Sequence, residues 1–293
     1  MYRTHWSNGH SRSAIRISVS AGVRQPNARV ASADTNINSN EKRTYDGTAA
    51  ALKTTVRAKG AAAVARQVQV RDTMPVRVPI DDRFLSGDLR MPLESRGIVL
   101  FAHGSGSSRH SPRNQYVSQS LERRNLATLL MDLLTPEEER IDNRTAEYRF
   151  DIPMLAERLV TIVDWLRRQK VTSALPIGLF GASTGGGAAL MAAAERPDEI
   201  AAVVSRGGRP DLAGAALAKV TSPTLLIVGG LDTAVIQMNR DAMNQMRGET
   251  RLEIVGGATH LFEEPGTLDR VADLAGEWFT RYFPSVARKA SAK

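Results

Sequence analysis

Three residues of this chain have the types and flanking patterns needed to turn a weak nucleophile into a working one. Ser183 sits in Gly181-Ala182-Ser183-Thr184-Gly185, directly after an apolar run ending at Phe180 and directly before the small residues Gly186-Gly187-Ala188-Ala189. Asp232 closes Gly229-Gly230-Leu231-Asp232, just past the run Thr224–Val228, and His260 closes Gly256-Gly257-Ala258-Thr259-His260, just past a run ending at Val255. A serine hydroxyl attacks only when a base takes its proton, and an imidazole base needs a carboxylate to fix its tautomer and stabilise the imidazolium. Glycines flanking the serine suit a strained strand-to-helix turn that leaves no room for neighbouring side chains. The helix that follows would place its positive dipole end below a developing oxyanion. The bland alternative for this stretch is a glycine-rich turn or phosphate loop.

Acyl transfer also needs donors for the oxyanion. His103-Gly104-Ser105-Gly106-Ser107-Ser108 follows the apolar run ending at Ala102, where a loop of this kind supplies one backbone N–H while the residue after the nucleophile supplies the other. The first donor is expected from Ser105, with Gly106 next in line, and the second from Thr184. His103, at a strand end, is read as a brace for that loop. Of the other histidines, His5 and His10 lie far upstream and His110 falls in a Ser/Arg-rich loop, which leaves His260 as the base. Asp132, after the run ending at Met131, is the alternative acid. Glu263 and Glu264 are too near His260 and are expected to cap the following helix. Glu137-Glu138-Glu139-Arg140 reads as a solvated loop or helix start. Ser205-Arg206-Gly207-Gly208-Arg209 reads as a turn with solvated arginines, contact of Arg206 with an anionic substrate being the alternative. Trp165, Trp278 and Phe279 fall on helical patterns and are expected in the core.

These residues all lie just beyond short apolar runs, where open α/β sheets bind ligands. Val76–Ile80 and Phe84–Met91 suggest an antiparallel edge pair. Gly97–Ala102, Leu126–Met131, Pro176–Phe180, Ile200–Val204, Thr224–Val228 and Leu252–Val255 are continuously apolar and glycine-bounded, as strands buried on both faces are. Between them, Asp151–Lys170 carries apolar residues at three- and four-residue spacing, and Gln115–Arg124, Gly186–Glu195, Val235–Met246 and Leu268–Tyr282 read similarly. Strand alternating with helix implies an α/β fold: a doubly wound, mostly parallel sheet of about eight strands flanked by helices, in one domain over residues 73–293.

The chain has 293 residues and a formal net charge of +8. Residues 1–72 hold twelve basic and four acidic side chains, and the remainder holds 27 of each, so the whole excess is confined to the first quarter. That segment is rich in Ser, Asn, Arg, Ala and Thr without sustained periodicity, and is expected to be a disordered basic extension. It is too polar for a secretory core, fits a transit peptide only in outline, and lacks the aromatic interleaving of a nucleic-acid arm. Met74 opens the first structured-looking segment. With no run of about 18 apolar residues, no membrane span is expected, and the expected location is cytoplasmic, organellar import being the lesser alternative. The chain contains no cysteine, which excludes disulfides and thiolate chemistry.

The stretches Phe101–Ser108, Gly181–Gly187, Val204–Asp211, Leu226–Asp232 and Gly257–Pro265 together resemble the dienelactone hydrolase-like branch of the α/β-hydrolases. They are most similar to bacterial hydrolases that occur alone or fused to phosphoribosyltransferase domains. The resemblance runs from about Met74 to Ser285 and implies the α/β-hydrolase fold with Ser183, Asp232 and His260 as the triad. It departs in one respect: dienelactone hydrolases proper use a cysteine nucleophile, and Ser183 stands here instead. The expected activity is cleavage of a carboxylic ester or related acyl bond, with a small-molecule substrate, no cofactor, no metal, no nucleic acid and no membrane partner. A fold retained as a non-catalytic binding or scaffolding module is the alternative.

Overall fold

The apolar runs become strands whose side chains point alternately into two separate cores. The structure, a computed structural model, describes residues 72–283. The expected extension over residues 1–72 lies outside the described residues apart from Asp72. Eight strands form one sheet: β1 (Met74–Ile80), β2 (Arg83–Arg90), β3 (Ile98–Ala102), β4 (Ala127–Met131), β5 (Ile177–Ala182), β6 (Ile200–Arg206), β7 (Thr224–Gly229) and β8 (Thr250–Val255). In β3, Ile98, Leu100 and Ala102 enter one core while Val99 and Phe101 enter the other. Two-sided burial is why the run has no polar alternation.

Six helices cover the faces: α1 (Pro112–Glu122), α2 (Pro136–Thr145), α3 (Ile152–Arg168), α4 (Thr184–Glu195), α5 (Thr233–Met243) and α6 (Thr267–Tyr282). Leu155, Leu159, Ile162 and Leu166 of α3 join Ala188, Ala189 and Ala192 of α4 in the first core. Val117 and Leu121 of α1 join Val271, Ala275, Trp278 and Phe279 of α6 in the second. Trp165 packs at the margin of the first core, so all three expected aromatic residues are core or core-edge. A 3₁₀ segment, Pro210–Lys219, follows β6 and was not foreseen.

The strand order is β1-β2-β4-β3-β5-β6-β7-β8. β1 and β2 pair antiparallel and β2 pairs antiparallel with β4, while every other neighbouring pair is parallel. After β3 the chain moves outward to β4, then returns to lay β5 on the other side of β3. The loops after β3 and β5 therefore diverge and open a crevice at the carboxyl end of the sheet, the general location of ligand sites in open α/β sheets. At the far side, β8 is an edge strand on which Arg251 pairs with Glu253 and Ile254 is 43% exposed.

Candidate active site

Ser183 stands on the turn between β5 and α4 with φ 51° and ψ −121°, a left-handed conformation costly to a residue with a Cβ. The turn is over-determined by its surroundings. A Cβ on Gly181 would lie 2.5 Å from the carbonyl oxygen of Gly185, and one on Gly185 would lie 2.3 Å from that of Ala102. The flanking glycines are thus a steric requirement. The Ser183 N–H donates to Arg206 O at 3.2 Å, and its carbonyl accepts from Gly186 N at 2.9 Å and Arg209 N at 3.0 Å.

The other two residues arrive on loops that brace each other. Leu231 N–H donates to Ala258 O at 2.9 Å and Gly230 N–H to Val255 O at 2.8 Å, tying the loop after β7 to the loop after β8. Asp232 occupies the N-cap position of α5 but makes no side-chain cap bond. Its carboxylate Oδ2 lies 2.6 Å from His260 Nδ1 instead. His260 Nε2 lies 3.3 Å from Ser183 Oγ. The structure therefore joins the three separated sequence positions in one hydrogen-bonded chain. In that arrangement Nδ1–H donates to Asp232 and Nε2 is free to accept the serine proton. The carboxylate is mostly shielded from solvent, whereas the imidazole stays accessible.

Asp132 does not join this chain. It accepts from the Arg109 N–H at 2.8 Å and binds the Arg109 guanidinium. His103 is the expected brace: its Nδ1 pairs with Gly104 O at 2.9 Å, and its Nε2 accepts from Leu133 N–H at 3.1 Å. Burial holds its pKa below the ordinary histidine value, against the opposing pull of the Gly104 hydrogen bond and the Asp132 charge. His110 is exposed on its loop. Around the oxyanion positions, the backbone N–H of Thr184 has no acceptor among the described residues. The backbone N–H of Ser105 donates to Thr184 Oγ1 at 2.9 Å. Beside them a cleft opens, lined by Ser105, Thr184, Leu134, Leu155, Asn143 and Arg149.

Three expectations from sequence are corrected. Arg206 is not solvated: it is 7% exposed and donates to Asn114 Oδ1 of α1 at 3.4 Å, while its Nε and Nη1 have no partner among the described residues. Burial, with the nearby Arg113 charge, pushes its pKa down to about 10. Arg209 forks onto Asp211 at 2.7 and 2.8 Å. Neither Glu263 nor Glu264 caps α6 through its side chain. Glu263 pairs with Arg113 at 3.1 Å, and Glu264 accepts the Thr259 N–H at 3.1 Å, holding the loop that presents His260. Finally, Glu138 is buried rather than solvated, although it does lie in the first turn of a helix.

The alpha/beta hydrolase domain family model matches residues 95–273. The chain belongs to the α/β-hydrolases. This hydrolase is 58% identical to a solved Anabaena variabilis structure described as a dienelactone hydrolase, covering 74% of this chain and all of that one with a TM-score of 0.72. Est1E from Butyrivibrio proteoclasticus shares the fold at 18% identity, over 71% of this chain and 98% of that one, with a TM-score of 0.60. A Mycobacterium tuberculosis protein named as a phosphoribosyl transferase is 58% identical over 195 residues, 67% of this chain and 43% of its own length. The hydrolase thus spans less than half of that relative. Among its described residues no helix is long and apolar enough to cross a membrane.

Proposed function

We propose that this hydrolase cleaves a carboxylic ester or related acyl bond of a small molecule through an acyl-enzyme on Ser183. The observation that carries the reading is the hydrogen-bonded chain Ser183 Oγ, His260 Nε2, His260 Nδ1, Asp232 Oδ2 built on a strained turn. Its likeness to a dienelactone hydrolase supports the same class of chemistry.

In the first step Ser183 Oγ attacks the acyl carbon while its proton passes to His260 Nε2. The carbonyl oxygen becomes an oxyanion, held by Thr184 at the start of α4, whose backbone N–H has no acceptor among the described residues. His260 Nε2–H then protonates the departing alcohol oxygen, leaving Ser183 acylated. A water gives its proton to His260, attacks the acyl carbon, and releases the carboxylic acid as Ser183 regains its proton. Asp232 keeps Nδ1 protonated throughout and stabilises the imidazolium.

The test is labelling with a fluorophosphonate, followed by peptide mapping and by turnover of p-nitrophenyl esters of graded chain length. Label on Ser183 and ester turnover are expected in the wild type. Ser183→Ala and His260→Ala are each expected to lose turnover by several orders of magnitude while staying folded, and the double variant to be little worse than either. A wild type that neither labels nor turns over would favour the binding-module alternative. Ser183→Ala retaining more than roughly a tenth of the activity would remove Ser183 as nucleophile.

A further inference from the structure

The Ser105 N–H, expected to point at substrate, is already committed to the side chain of Thr184. A hydroxyl carries one donor and two acceptor lone pairs. Thr184 Oγ1 uses a lone pair on Ser105 N–H, and its own hydrogen goes to no acceptor among the described residues. Thr184 is 4% exposed, and its backbone N–H is likewise without an acceptor. One residue, immediately after the nucleophile and at the edge of the cleft, therefore holds two uncommitted donors. They are separated only by Cα and Cβ, close enough to converge on one substrate oxygen.

We propose that the Thr184 hydroxyl is itself a catalytic oxyanion donor, acting alongside the Thr184 backbone N–H. Ser105 then serves as a positioning residue: its N–H orients the hydroxyl and polarises it, without touching substrate. A chain N–H to O–H to oxyanion strengthens its terminal bond as negative charge develops, since successive hydrogen bonds polarise one another. The buried setting favours such a donor, because a hydroxyl fixed in advance pays no reorganisation when the tetrahedral intermediate forms. The rival physical reading of the same contact has the opposite sign. If the hydroxyl merely latches Ser105 N–H away from the substrate, removing it frees a donor and activity rises.

This inference rests on the serine-hydrolase reading of Ser183, so the experiment reports on both. Wild type, Thr184→Val and Thr184→Ser are compared for kcat and KM on a p-nitrophenyl ester and for inhibition by an alkyl boronic acid, which mimics the tetrahedral adduct. Fluorophosphonate labelling of the wild type monitors the nucleophile separately. Thr184→Val is expected to lower kcat by roughly 10²-fold with KM changed little, the usual loss for one oxyanion donor. Boronate affinity should fall in parallel, and Thr184→Ser should restore both to within about one order of magnitude. Thr184→Ala, which adds no bulk, is read in the same way should the valine variant fold poorly. An unchanged or raised kcat in Thr184→Val or Thr184→Ala overturns the proposal in favour of the latch. A serine variant as impaired as valine overturns it in favour of packing by the β-branched side chain. A wild type without label and without turnover overturns the serine-hydrolase reading, and this inference with it.

Discussion

Asp232 and Asp132 each follow a parallel strand, and only their partners separate them. The carboxylate of Asp232 faces an imidazole at 2.6 Å, while that of Asp132 is occupied by Arg109. Asp232→Asn is expected to lower kcat by roughly 10³–10⁴-fold, because an amide neither stabilises the imidazolium nor enforces the working tautomer. Asp132→Asn, which loosens a partly exposed ion pair, should stay within about one order of magnitude of wild type. Steady-state kinetics on both variants decides the assignment, and the reverse ranking would move the acid to the β4 loop. At this scale the meeting of Ser183, Asp232 and His260 in one hydrogen-bonded chain was legible because each position sits at a strand end behind glycines. Arg206 was not: a strand-end arginine beside two glycines reads as solvated, and nothing local reveals that α1 lies across it. The engagement of Ser105 N–H by a hydroxyl 79 residues away was equally invisible, since it depends on the approach of two loops.

Among the elements, α2 shows how a polar segment is made structural by what it meets. Thr135 and Glu138 form a reciprocal capping box, and the Glu138 carboxylate is then gripped by Arg158 of α3 at 2.6 and 2.8 Å. Burial pushes the Glu138 carboxyl up, but the bonds from Arg158 and Thr135 outweigh that and hold it below the ordinary value of 4.5. A lowered carboxyl contributes stability above its unfolded pKa and loses it as pH falls through the folded one. Glu138→Gln is therefore expected to cost roughly 2 kcal/mol near neutrality, the scale of a hydrogen bond to a charged group. The gap between variant and wild type should close on acidification below about pH 4.5. Denaturant melts across pH 3–7 measure this, and a gap that stays constant would mean the carboxylate charge is not what holds the clasp. The run Glu137–Arg140 could be read as a helix start because the capping pattern is local. Its burial could not, because Arg158 arrives from another element. The long helix α3 was plain from its apolar spacing, whereas the 3₁₀ segment after β6 has no clear period to announce it.

For the whole molecule, the number of strands, their mostly parallel sense and the alternation with helices could be read from the runs themselves. The order in which they lie could not: that β5 returns past β4 to pair with β3 is a property of the crossovers. That return opens the crevice, so the feature that makes a site was the one the strands alone did not disclose. The other consequence lies at the opposite margin. Among the described residues β8 ends the sheet and runs directly into the loop that carries His260, so there its outer ladder of N–H and C=O groups faces no further strand and can template another chain. The Arg251–Glu253 pair is the chemical guard on that template. Replacing both by valine should leave dilute enzyme active, yet bring on aggregation in concentrated samples, followed by light scattering. A chain pairing along β8 would pull on the histidine loop, so specific activity should decline in step with scattering. Samples that scatter while keeping full activity would uncouple the two. By this route crowding itself would become an inhibitor, acting through a sheet margin and not through the cleft beside Thr184.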